Sequence, residues 1–231
     1  MKKMNLGVCF GIIIICICLF FETGYAATYY VSNSGKDNKP GNKEQTAWQT
    51  IARVISSFAF SDGDTILFKR GDTFSDRTLE IKNVKNITIA DYGEGEKPLF
   101  DGNKIKPILI KDSKNITIKN INISGQEWHI DKSSNIEIEN VDGLVIDGVY
   151  GNGHTINKGD SKGKTAISIN NCSGVIEIKN CEIFNWGPYD LPKPGTDDFM
   201  GIALTNMESG EYKIHDNKIY NINADGIHVY L

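Results

Sequence analysis

The chain has 231 residues, 40% of them hydrophobic and 23% charged, with a formal net charge of −4. An acidic balance of this kind provides no basic face for nucleic acid, so a nucleic-acid partner is not expected. The length suits a single domain with a sizeable core.

Residues 1–26 read as a cleaved signal peptide. Lys2 and Lys3 precede an apolar stretch from Leu6 to Phe21, and Gly24-Tyr25-Ala26 is a small-x-small cleavage signal. The apolar stretch falls short of the roughly 20 residues that span a bilayer, so the expectation is secretion without stable membrane insertion. Lipidation is disfavoured because Cys16 and Cys18 follow Ile15 and Ile17 rather than small residues. Cleavage takes away Lys2, Lys3 and Glu22, moving the net charge from −4 to −5. It also removes Cys9, Cys16 and Cys18, leaving Cys172 and Cys181, too few for a disulfide scaffold. Burial of both as small apolar side chains outweighs a single bridge between them.

Residues 27–102 read as an N-terminal cap with the first coils of a stack. From Thr46 to Phe58 the apolar residues Trp48, Ile51, Ala52, Ile55 and Phe58 follow helical spacing. That predicts an amphipathic helix able to close the open end of a solenoid. Gly63-Asp64 then turns into a strand at Thr65-Ile-Leu-Phe68.

Residues 103–231 carry an internal repeat. The phrase I-x-I-x-N/D recurs as Ile87-Thr-Ile89-Ala-Asp91, Ile116-Thr-Ile118-Lys-Asn120, Ile136-Glu-Ile138-Glu-Asn140 and Ile176-Glu-Ile178-Lys-Asn180, with Tyr212-Lys-Ile214-His-Asp216 as a variant. Alternation of apolar and polar residues gives each strand one buried and one wet face. Ile108-Leu-Ile110, Ile116-Thr-Ile118 and Ile121-Asn-Ile123 together make one coil of three short strands, and similar triplets follow. Asn tolerates left-handed backbone angles, so Asn120, Asn140, Asn180 and Asp216 or Asn217 are expected to stack at one corner. First strands are placed at Ile110, Ile130, Ile169, Leu204 and Val229, with spacings of 20, 39, 35 and 25 residues. The surplus falls in long insertions at 143–164 and 185–201, all at one phase of the coil, where a solenoid presents its binding face. The chain halts at Gly226-Ile-His-Val-Tyr-Leu231 inside a strand, so the stack is expected to be truncated at that end.

The cap region resembles a known family. Thr28-Tyr-Tyr-Val-Ser-Asn-Ser-Gly-Lys-Asp, Pro40-Gly, Ala47-Trp-Gln-Thr-Ile51, Asp62-Gly-Asp-Thr-Ile-Leu-Phe-Lys-Arg-Gly71 and Tyr92-Gly-Glu-Gly-Glu-Lys-Pro98 are similar to the opening of secreted proteins of the pectate-lyase-like superfamily. The resemblance implies an all-β, right-handed parallel β-helix with an extracellular polysaccharide as partner. Polysaccharide lyases, uronan epimerases, glycoside hydrolases and non-catalytic surface proteins share this scaffold. By position, it implies a groove lined by Lys111, Asp131, Ser168, Asn170, Ala203, Thr205, His228 and Tyr230, in a protein that acts as a monomer.

A lyase acting on uronate-containing glycans by β-elimination needs a base and a charge that neutralises the substrate carboxylate, commonly Ca²⁺ on carboxylates. Asp225, His228 and Asp198 are the candidate catalytic residues, and Asp197 with Asp198 the candidate Ca²⁺ ligands. A glycoside hydrolase would use two carboxyl groups, for which Asp198 and Asp225 are available. Trp186 and Tyr189 offer flat faces for sugar rings, with Asn170 as a polar contact and Trp128 at the same phase one coil earlier. Against these stand plainer readings: turn acids for the aspartates and loop packing for the tryptophan. His154 reads as a loop residue, and His129 and His215 as residues of solvated strand faces. A non-catalytic glycan-binding protein is the alternative.

Overall fold

The computed structural model describes residues 26–57, 60–102, 105–124, 134–153, 165–187 and 199–230. Residues 1–25, which make up nearly all of the expected signal peptide, and Phe58, Trp128, His129, Ile130, Asp131, His154, Tyr189, Asp197 and Asp198 lie outside them. The described chain is all-β with very little helix, and every pairing between its strands is parallel, consistent with a parallel β-helix. No described helix is long and apolar enough to cross a membrane.

Pairing sorts the described strands into three rows. The first row begins at Leu79–Lys82 and continues through the opening part of Ile108–Lys119, the opening part of Ser134–Asp147, Thr165–Asn170, Met200–Thr205 and Ile227–Tyr230. The second begins at Thr28–Val31 and runs through Thr65–Lys69, Thr88–Tyr92, the closing parts of the two long strands, Ser173–Lys179 and Gly210–His215. The third is a separate sheet made of Thr73–Phe74, Leu99–Asp101, Asn122–Ser124, Tyr150–Asn152, Glu182–Trp186 and Lys218–Ile222. The two long strands join the first two rows into one sheet.

Apolar alternation dictates which way each strand faces. Ile116 and Ile118 are buried while Thr117 between them is not, and the same holds for Ile176 and Ile178 about Glu177. Like residues therefore stack on like: Ile110, Ile138, Ile169, Leu204 and Val229 form one line across the first row. Each fully buried side chain of this kind contributes about 1.5–3 kcal/mol.

Corners between rows need a left-handed residue, and every non-glycine residue with positive φ among those described is Asn or Asp. Their amides form ladders. Asn140 (φ 54°) donates through Nδ2 to Asp112 Oδ1 at 2.8 Å and accepts from Asn171 Nδ2 at 2.8 Å. Asn120, Gly148, Asn180 and Asp216 hold the next corner, all at positive φ, and Asn180 donates to Asp147 Oδ1 at 2.8 Å. A Cβ at Gly148 would fall 2.7 Å from Asn120 Oδ1, so glycine is required where the ladder residue below leaves no room.

Two expectations of phase are corrected here. Ile136-Glu-Ile138-Glu-Asn140 is a first-row strand, not a second-row one, and Asn140 stacks with Asp112 and Asn171 rather than with Asn120 and Asn180. Both corners demand a left-handed Asn after an alternating strand, so one phrase fits two phases. The first-row position assigned to Ile130 accordingly belongs to Ile138. The stretch 143–164 is likewise not one insertion, because Leu144 and Ile146 are buried second-row residues and Tyr150–Asn152 is a third-row strand. The connections from third row to first row are then 125–133, 153–164 and 187–199, all at one phase.

The predicted helix exists but is shorter, Ile51–Ser56. Thr50 caps it, accepting from Arg53 N at 3.0 Å, and Asp76 accepts from the amides of Ile51 and Ala52. Ile51 and Val54 are buried, and the helix packs against Leu79–Lys82, the first strand of its row. Trp48 precedes the helix, stacked on Tyr29 at 4.8 Å with its indole donating to Lys39 O at 2.9 Å.

Trp186 is also buried, at 1% exposure. Strand parity places Ile183 inward and Phe184 outward, and would turn Trp186 outward. Asn185 breaks that parity: its left-handed backbone (φ 57°) drops out of the pairing, so Phe184 pairs with Tyr220 and Trp186 with Ile222. Asn221 (φ 53°) does the same one coil on, and the two amides bond at 3.2 Å. Gly153 accommodates the indole, since a Cβ there would lie 2.7 Å from its Cε3 atom.

Two stability predictions follow from this packing. Asn140→Ala loses both ladder bonds and the left-handed preference, and should cost more than Asn140→Gly by about 1 kcal/mol; urea midpoints of the two variants check the order. Trp186→Ala should destabilise by about 3–5 kcal/mol as a cavity-forming substitution, read as a fall in the midpoint of thermal or urea unfolding.

Candidate functional site

Three strands of the first row each follow one of the long connections in the chain, and the outer face of that row carries the candidate residues. Because side chains alternate, two lines of residues cross it. One holds Leu109, Glu137, Ser168, Ala203 and His228, and the other Lys111, Glu139, Asn170, Thr205 and Tyr230. Lys111, Ser168, Asn170, Ala203, Thr205, His228 and Tyr230 therefore share the face expected of them. At the register expected of Asp131 the face carries Glu137 and Glu139. Their alternation with Ile136 and Ile138 was the available signal; the row to which it belonged was not.

At the C-terminal end of the face, His228 Nδ1 lies 2.8 Å from Asp225 Oδ2. Asp225 sits in the turn immediately before Ile227–Tyr230, and His228 is the outward second residue of that strand. The short connection after Ile222 thus brings together two of the candidate catalytic residues. Both are accessible, with side-chain exposures of 34% and 52%. With Nδ1–H given to the carboxylate, the other ring nitrogen carries the lone pair.

The middle of the face is a closed charge network. Lys106 Nζ is 2.5 Å from Glu137 Oε2, and Lys111 Nζ is 2.6 Å from Glu139 Oε2. The Lys111 ammonium holds the Glu139 carboxyl below the usual carboxylate range, with burial opposing it. The same contact raises Lys111 above the ordinary lysine value. Each charge is compensated by its partner, so this stretch carries four ionised groups and little net field.

Beyond it the surface turns neutral. Asn170 Oδ1 accepts from Thr205 Oγ1 at 3.1 Å and from Asn206 Nδ2 at 2.9 Å. The carbonyl of this candidate sugar contact is thus already committed to the corner ladder. Trp186, a second candidate, is corrected outright: it fills the core through the parity break at Asn185 and presents no ring to the groove. Tyr189, Asp197 and Asp198 lie outside the described residues. Among those described, no three His, Cys, Asp or Glu side chains gather to hold a metal ion. His215 is exposed on the second row, between Asp216 at 2.7 Å and Glu177 at 3.2 Å, and these carboxylates raise its pKa, Asp216 foremost. Cys172 and Cys181 are free and buried, each at a different corner.

No protein-family model matches the chain, and no curated protein matches it in sequence. Solved structures do match in shape. A rhamnogalacturonan lyase superposes with a TM-score of 0.54 at 14% identity, over 89% of this chain and 63% of that one. The GH136 lacto-N-biosidase from Eubacterium ramulus superposes with a TM-score of 0.50 at 18% identity, over 80% of this chain and 34% of the other. The chain thus spans about a third of one relative and under two thirds of the other. At such identities the likeness is one of fold, and the fold shared with these two enzymes is that of parallel sheets stacked strand upon strand.

Proposed function

We propose that the chain is part of a secreted, carbohydrate-active enzyme, a lyase that cleaves uronate-containing polysaccharide by β-elimination on the outer face of the first row. In this reading the three rows are the faces of a right-handed β-helix with three strands per coil. Ile51–Ser56 caps one end, and residues 1–26 direct export. The protein acts as a monomer on extracellular glycan.

The observation that carries the reaction is the contact of His228 with Asp225. β-Elimination needs one base beside the carbon that bears the substrate carboxylate, and a histidine whose tautomer is fixed by a carboxylate supplies it. A glycoside hydrolase needs two carboxyl groups within about 9.5 Å. The nearest carboxylates of the first-row strands, Glu137 and Glu139, stand three strands from His228, about 14 Å along a sheet spaced at 4.8 Å. Among the described residues of the first-row strands no second carboxylate stands within that reach of the His228–Asp225 contact, which supports the single-base lyase reading. The fold shared with a rhamnogalacturonan lyase and a lacto-N-biosidase accords with a carbohydrate substrate. Asp197 and Asp198, whose acidic oxygens suit a hard cation, would hold a Ca²⁺ ion if one binds, and its charge would neutralise the substrate carboxylate.

Pectin, alginate and neutral glycans, offered with and without chelator, test the proposal. The expected product carries a new ultraviolet-absorbing unsaturated end, is lost with chelator and returns with Ca²⁺. His228→Ala should lower kcat by about 10²–10⁴-fold, and Asp225→Asn should lower it as well by releasing the tautomer, with glycan affinity changed little in both. Binding without any product would instead establish a non-catalytic glycan-binding protein, and reducing ends without unsaturation a hydrolase.

A further inference from the structure

Charged side chains keep to the surface of the stack, with one exception among the described residues. Asp64 is 0% exposed, a carboxylate set among buried side chains that are otherwise apolar or neutral. Taking a carboxylate out of water is costly unless a cation or good hydrogen-bond donors meet it. Two backbone nitrogens do so. Asp64 Oδ2 accepts from Ser61 N at 2.8 Å, closing the turn that also carries Asp64 N to Ser61 O at 3.1 Å. Asp64 Oδ1 accepts from Ala27 N at 2.7 Å, from a residue 37 positions earlier. Among the described residues no lysine, arginine or histidine pairs with this carboxylate. Its charge is felt by Tyr29, whose phenol is raised chiefly by burial and further by Asp64.

The sheet fixes the position of Ala27. Thr28 pairs with Thr65 at the start of the second row, Thr65 N donates to Ala27 O at 2.8 Å, and Thr88 N donates to Asp64 O at 3.0 Å. Backbone bonds on both residues thus hold the Ala27 nitrogen against the carboxylate. Ala26 is exposed whereas Ala27 is half-buried. That change in exposure falls at the very bond that the small-x-small signal Gly24-Tyr25-Ala26 marks for cleavage.

We infer that removal of residues 1–26 makes the α-ammonium of Ala27 the counter-ion of Asp64, a buried ion pair that only the processed chain can form; the inference rests on the export reading above. Hydrolysis of the Ala26–Ala27 bond by a leader-removing protease consumes one water. Its hydroxyl joins the Ala26 carbonyl carbon, the C–N bond breaks with its electron pair on the Ala27 nitrogen, and that nitrogen takes the remaining water proton. The new Ala26 carboxyl then gives up its own proton, and the amine is protonated to an ammonium. The donor to Asp64 Oδ1 has changed from a neutral amide to a cation at the same place in the sheet. An α-amine is largely protonated at neutral pH, and opposite charges in contact attract more strongly inside a protein than in water. The unprocessed chain has the same hydrogen bond without the compensating charge, so the first strand of the second row is anchored fully only after export.

The test expresses the full-length protein in a secreting host and sequences the released product from its N-terminus, which should read Ala27-Thr28-Tyr29-Tyr30. A second chain carries Ser-Gly inserted between Ala26 and Ala27, so that cleavage leaves the charge two residues upstream and an amide at Ala27. The insertion should lower the thermal midpoint by about 5–10 °C in the parent and by less than about 1 °C in Asp64→Asn, which has no carboxylate to pair. A second measurement stands even where Asp64→Asn does not fold: acylation by an amine-selective ester at neutral pH should label the Ala27 amine at least about tenfold more slowly than the amine of the Ser-Gly chain. With the product starting at Ala27, equal midpoints, an equal fall in both backgrounds or equal labelling rates overturn the ion pair and leave the export reading standing. A secreted product that starts elsewhere also overturns the ion pair alone. Retention of an unprocessed chain inside the cell removes the export reading and the inference with it.

Discussion

A strand that must turn into the next row without reversing direction has to bend its backbone through the left-handed region, which costs an ordinary residue roughly 1–2 kcal/mol. The chain meets this with Asn and Asp at its non-glycine corners and uses the same side chains to tie each coil to the next. Asn140 shows both functions at once, with φ at 54° and its amide bonded to Asp112 on one side and Asn171 on the other. Because the ladder fixes where each corner stands, it also fixes the phase of every strand between corners. Inward isoleucines then stack on isoleucines, and the outer faces become continuous lines of side chains. The candidate site exists only because those lines are straight.

The alternation about Ile116 and Ile118, the left-handed Asn at 120, 140 and 180, and the concentration of long connections at one phase were all legible from sequence. Each reflects a local rule of backbone geometry or burial. The phase of Ile136–Asn140 was not, because two corners with the same steric demand select the same residue and so write the same phrase. Gly148 concealed the second member of the Asn120 ladder, since the space there excludes any Cβ. The orientation of Trp186 depends on a parity break at Asn185, which pairing with Asn221 and Asn152 stabilises. A residue that skips a pairing looks in sequence like any other Asn.

The outer face divides into regions with different demands. Its middle is a compensated network of two lysines and two glutamates, bonded across the strands and giving little net charge. Its C-terminal end holds Asp225, His228 and Tyr230, accessible and lightly constrained. Long connections join the chain at the phase of this face, so their length can vary without disturbing the ladder that sets the register of the strands. A histidine fixed by a turn aspartate needs only one short connection, which is why that part of the site can be recognised in a chain whose longer loops carry other candidates.

The two core thiols are held in their unreactive form. Burial raises the Cys181 thiol to about 11 and moves Cys172 in the same direction. At neutral pH only about one Cys181 in ten thousand would be ionised, and the thiolate is the form that attacks disulfides or is readily oxidised. Seated at separate corners, the pair serves as packing material. Neither is poised for disulfide exchange, so the described stack is held by packing and hydrogen bonds alone at these two corners.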